Sequence, residues 1–113
     1  MNIQNTKISE HAFLQDMYQD SYFPKHLVDQ VKTILLDLCA EIEVKKPEHL
    51  EDLYELTLRA TQKINDLQDA FDEAESEIET VARDCIGMDV YYIAQSYGFV
   101  DADAEELISA RDW

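Results

Sequence analysis

Glycine and proline are almost missing from this chain, with two of each in 113 residues. Together with an ordinary hydrophobic fraction of 46%, that shortage argues against long disordered stretches and for a chain that folds as helices. Long apolar runs are missing too. No stretch approaches eighteen apolar residues, which excludes a helical membrane span, and Met1 to Asn5 has neither the basic start nor the apolar middle of a secretory signal. The expected location is the cytoplasm, without membrane contact. Cysteine is scarce: Cys39 and Cys85 form no Cys-x-x-Cys pair, and each falls on an apolar helical face, so both are expected as buried free thiols. Two isolated cysteines and the scattered His11, His26 and His49 do not make a zinc site. Glu-x-x-His pairs, which di-iron helical bundles need, do not occur. Continuous helix also lacks the turning backbone of a calcium loop, so no metal and no cofactor are expected. Because these cysteines and histidines all fall on helices with no strand-turn-helix elbow, no catalytic constellation is visible, and the chain is not expected to be an enzyme.

Positive charge is the last shortage. Nine bases stand against twenty-five acids, a formal charge of −16. Such a chain repels nucleic acid and anionic membranes and favours a basic protein partner.

What is present is helical periodicity. Leu50, Leu53, Thr57, Ala60, Ile64, Leu67 and Phe71 recur at alternating steps of three and four, the mark of an a/d seam. This predicts a central helix from Pro47 to Glu73, roughly 40 Å long at about 1.5 Å per residue. Before it, Ser9 caps a helix through Phe13, Leu14 and Met17 to Asp20, and Pro24 opens a second with Leu27, Val31, Ile34, Leu35, Leu38 and Ile42 inward. After it, Ser76 and Glu79 read as a capping box. They open a helix that carries Ile78, Val81, Ala82, Cys85, Val90 and Ile93 inward and stops at Gly98. Gly87 lies inside that helix and marks either a close approach or a break. Asp103 and Glu106 form a second capping box before a short last helix. The expectation is one all-α domain over residues 1–113, with 1–8 frayed. Its fold would be an antiparallel up-and-down bundle of four main helices plus a short C-terminal helix.

Within residues 48–84 lie twelve acids and three bases. Those at predicted helix N-termini have a structural reason to be there. Asp69, Asp72 and Glu73 crowd a predicted helix C-terminus, where negative charge is unfavourable unless the Ser76 helix start or a partner compensates. Asp66, Asp69, Asp72, Glu73 and Glu75 are therefore the expected partner contacts. Tyr91 and Tyr97 are added as possible aromatic anchors, since tyrosine combines large contact area with a polar tip. Asp89 falls at the edge of an apolar stripe and needs a partner such as a Tyr hydroxyl or an Arg.

The segments Glu77-Ile78-Glu79-Thr80-Val81-Ala82-Arg83-Asp84, Tyr97-Gly98-Phe99 and Asp101-Ala102-Asp103 resemble a small bacterial helical family without assigned activity. So do Glu105-Glu106-Leu107-Ile108 and Arg111-Asp112-Trp113, and earlier Tyr22-Phe23-Pro24, Leu53-Tyr54 and Leu56-Thr57. The resemblance runs from about Tyr18 onward, and its motifs describe a fold rather than a reaction. In size, acidity and lack of catalytic signature the chain also resembles immunity proteins of bacterial contact-dependent toxin systems. That resemblance implies a cognate toxin, often a nuclease, blocked by a dedicated binder. The functional expectation is a toxin inhibitor that covers a basic nuclease groove. The alternatives are a nucleic-acid mimic that acts on DNA-binding proteins and a helical adaptor with no toxin partner.

Overall fold

The helical periodicity is realised as helices throughout. The computed structural model describes residues 3–113, and among them no strand occurs. The elements are α1 (Thr6–Ser9), α2 (Gln15–Gln19), α3 (Lys25–Lys45), α4 (Leu50–Asn65), α5 (Gln68–Glu73), α6 (Thr80–Ser96) and α7 (Ala104–Leu107). No helix among the described residues is long and apolar enough to cross a membrane.

Helix ends follow local chemistry. α3 starts directly after Pro24, whose missing N–H is no loss at a helix start. It stops at Lys46, where a left-handed turn at φ 49° closes the Lys46 N–H on the Ile42 carbonyl at 2.8 Å. α6 ends as expected. Gly98 takes φ 89°, its N–H donates to the Gln95 carbonyl at 3.0 Å, and the Phe99 N–H donates to the Ala94 carbonyl at 2.9 Å. That pair of bonds is a Schellman ending, and glycine suits its left-handed position. α7 starts on Asp103, whose Oδ1 accepts from the N–H groups of Glu105 and Glu106. The second half of that capping box is replaced, since the Asp103 N–H donates to the Tyr54 hydroxyl oxygen at 3.1 Å.

Several boundaries differ from expectation, each for a physical reason. The helix expected from a Ser9 cap to Asp20 is shorter: Ser9 is the last residue of α1 rather than a cap, and α2 begins only at Gln15, after Leu14 in the left-handed region at φ 55°. The central helix begins at Leu50, not Pro47, and stops at Asn65. There the Leu67 N–H tightens onto the Ile64 carbonyl at 2.9 Å, and the Asn65 side chain turns to the C-terminal segment. Its amide donates to the Ala110 carbonyl, and its oxygen accepts from the Asp112 N–H.

Ser76 does not cap α6. Its N–H donates to the Phe71 carbonyl at 2.8 Å while the Glu75 N–H donates to that of Asp72 at 3.0 Å. Ser76 thus completes a Schellman ending of α5, with Glu75 in the left-handed position at φ 60°. Glu79 caps α6 instead, its carboxylate accepting from the Val81 N–H. Of residues 1–8, expected to fray, those from Ile3 on are described, and several make contacts with the rest of the chain. Ile8 is buried, the Asn5 side-chain amide donates to the Ser96 carbonyl at 2.8 Å, and Asn5 caps α1. Met1 and Asn2 lie outside the described residues.

In place of four main helices there are three long ones, of 21, 16 and 17 residues, with short pieces around them. α3 packs along α4, while α6 is held by α1, α2 and α7. α2 also meets α3, and α4 meets α7. The seam residues Leu53, Thr57, Ala60, Ile64 and Phe71 are buried, and Leu50 and Leu67 are half-buried. Gly87 does not break α6. A Cβ there would stand 3.3 Å from Ile108 Cδ1, so the glycine admits α7 to close approach. Val81, expected inside, is 42% exposed.

Candidate functional site

The break between α4 and α5 rearranges the acids. Asp66 follows the last turn of α4, Asp69 stands in the first turn of α5, and Asp72 and Glu73 stand in its last turn. Asp69 is therefore at a helix start, where a carboxylate is favoured, rather than at a helix end as expected. Asp72 and Glu73 remain at a helix end. Glu75 lies in the left-handed residue just beyond. All five are exposed, and none makes a side-chain hydrogen bond or an ion pair among the described residues. The ion pairs there are His11 with Asp89 and Arg111 with Glu105. This edge therefore concentrates five carboxylates that no ion pair among the described residues neutralises.

The two tyrosines are placed apart. Tyr97 is half-buried and donates its hydroxyl to the Glu43 carboxylate, which also accepts from the Gln4 N–H at 2.8 Å and the Asn5 N–H at 3.1 Å. Burial pushes the Glu43 carboxyl up, but these three hydrogen bonds outweigh it and hold the group below the usual carboxylate range. Burial and the hydrogen bond to Glu43 push the Tyr97 hydroxyl far above its usual value. Cys39 shares this environment, and burial together with the Glu43 charge pushes its thiol up to about 12. Both cysteines are buried free thiols, as expected. Tyr97 lines a groove of about 540 Å³ with Asn5, Ile42, Lys46 and Phe99.

Tyr91 points away from that cluster and is 39% exposed. It lines a separate groove of about 380 Å³ with Met88, Ile108, Arg83 and Arg111. None of the five acids lines either groove. The expected contact set is thus divided among three places.

The strongest polar constellation is one that sequence reasoning only half located. Asp89 is buried on α6, and its partner is neither tyrosine nor arginine. His11 Nε2 lies 2.8 Å from Asp89 Oδ1, and the Leu14 N–H donates to Oδ2 at 2.6 Å. The His11 ring stacks on Tyr92 at 4.1 Å between centroids and meets the edge of Phe13 at 4.7 Å. Tyr92 in turn donates its hydroxyl to the Lys7 carbonyl. Both Asp89 oxygens are engaged in holding the segment before α2 against α6, and the hydrogen bond secures Leu14 in its left-handed backbone. The arrangement is a clamp between elements. Among the described residues, no three His, Cys, Asp or Glu side chains are grouped so as to hold a metal ion.

Comparison with known proteins adds a family and no activity. No curated protein and no solved structure matches the chain. A family model does match over residues 7–113, nearly the whole chain, and its description assigns no activity and gives no link to immunity proteins. On that match the chain belongs to the family of unknown function DUF5713.

Proposed function

We propose that this chain is a binding protein without catalytic activity of its own, whose acidic edge from Asp66 to Glu75 docks on a basic protein surface. The observation that carries this reading is the exposure of five carboxylates on α5 and its flanks with no cation paired to them among the described residues. Unneutralised charge on one edge of a −16 molecule attracts a cationic surface at long range and steers its approach. Tyr91 stands in a groove that none of these acids lines, and the hydroxyl of Tyr97 is already committed to Glu43, so the proposed contact rests on the acids and not on the tyrosines.

The specific form of the proposal is a cytoplasmic immunity protein that occludes the positive groove of a toxin nuclease. The antiparallel up-and-down order of the long helices belongs to the same reading. It is supported by the short connection through Lys46 to His49 between α3 and α4, which pack together.

The test is titration of a nuclease domain encoded beside this gene. Protection of its substrate at near-equal molar ratio is expected, with an association rate that falls as salt rises. The combined Asp69→Asn, Asp72→Asn and Glu73→Gln variant should keep its fold and lose affinity. The loss is expected to be about 2 to 5 kcal/mol if the charges are fully desolvated at the contact, and under about 1 if they lie at its rim. Unchanged affinity in the folded variant places the contact elsewhere. No protection at all removes the inhibitor reading.

A further inference from the structure

We infer that the exposed face of α6 around Met88 and Tyr91 is a contact between two copies of this chain, separate from the acidic edge. Met88 is 73% exposed, the most exposed large apolar side chain on α6, and Tyr91 and Val81 are 39% and 42% exposed. Steps of seven and three residues from Val81 to Met88 to Tyr91 put all three on one side of the helix. Beside them runs the 380 Å³ groove between α6 and α7, floored by Gly87 and Ile108.

The rim of that groove identifies the occupant. Arg83 and Arg111 stand on it together with Asp84 and Glu105, so its formal charges cancel while the whole chain carries −16. A basic partner would meet two arginines here, and an acidic partner would meet two carboxylates within a strongly negative field. A surface with an apolar centre and both signs around it suits this rim, and a second copy of the same face is such a surface. Arg111 already pairs with Glu105 and Arg83 donates its Nε–H to the Trp113 carbonyl, so the rim presents locally balanced charge, and in a two-fold contact, where each residue pair occurs twice, it repels neither copy. The groove adds an apolar recess beside the Met88 thioether, and methionine adapts to irregular apolar surfaces.

Salt gives this contact a signature of its own. Two chains of −16 repel at long range, and added salt screens that repulsion while leaving apolar burial in place. Self-association should therefore strengthen with salt, whereas docking of a basic partner on the acidic edge should weaken. The failure of one is distinguishable from the failure of the other.

Sedimentation equilibrium of the whole chain at low and high salt tests the inference. A species of twice 13.1 kDa is expected, growing with protein concentration and with salt. Met88→Asp alters an exposed side chain and should weaken the dimer by roughly tenfold or more, with circular dichroism unchanged. Tyr91→Ser should act in the same direction, so a folding defect in one variant leaves the other to decide. A mass that stays at 13.1 kDa up to about 1 mM protein overturns the inference. So does a dimer that persists in a folded variant, or one that salt dissolves.

Discussion

Asp89 connects parts of the chain that share no local sequence. Its two oxygens hold His11 and the Leu14 N–H, so truncation leaves a buried donor unpaired beside a leucine in a strained backbone region. Asp89→Ala should lower the unfolding free energy by about 1.5 to 3 kcal/mol for each charge-assisted bond lost, as read from urea denaturation. Asp89→Asn, which retains an acceptor, should cost less. Helical spacing was enough to show that Asp89 borders an apolar stripe and needs a partner. It said nothing of His11, because the pair is separated by 78 residues and joins a helix to a loop. Periodicity reports which residues share one element, whereas a clamp is a relation between elements.

Among the elements, ends with a local chemical cause were legible, and ends with competing causes were not. Gly98 and Asp103 act within a few residues of themselves and stop or start helices as read. Ser76 satisfied the pattern of a cap, yet its N–H is taken by Phe71 in ending α5. The seam also gave no sign of the α4–α5 break, since Ile64, Leu67 and Phe71 keep helical spacing across it. Acid number was plain in the composition, but the chemistry around each acid changed once that break moved Asp69 from a helix end to a helix start. The grooves could not be read, because the 540 Å³ one joins segments distant in sequence and the 380 Å³ one depends on how α7 folds back on α6, neither of which helical spacing reports. Glu75 is where this matters most for stability. A non-glycine residue in the left-handed region is strained by about 1 to 2 kcal/mol, and glycine offsets that with its own entropic cost of about 0.5 to 1. Glu75→Gly should therefore stabilise the fold by up to about 1 kcal/mol, seen as a rise in melting temperature, and Glu75→Ala should not.

For the whole molecule, the pH profile follows from groups that tie α3 to its neighbours. Glu43 has a lowered pKa in the folded chain, so its contribution is present above the ordinary carboxylate value of 4.5 and is lost as pH falls through the folded value. Tyr18 is raised from 10.0 to about 12 by burial and by its hydrogen bond to Asp29, and Tyr97 is raised further. Their contribution is present below pH 10 and is lost as pH rises through the folded values. Thermal melting should fall on the acid side as Glu43 is protonated and on the alkaline side above pH 10 as these tyrosines ionise. Phenolate absorbance should show two tyrosines that resist ionisation until the fold yields, and Tyr97→Phe should remove one of them.

The anchoring of the first residues also sets an order of events in time. Asn5, His11 and Leu14 are held by Ser96 and Asp89, which the ribosome makes 75 to 91 residues later. α3 and α4, adjacent in sequence, can meet while the chain is still growing. Residues 5–14 gain their ties to Ser96 and Asp89 only once α6 has emerged, so this segment completes its contacts after α3 and α4 have met.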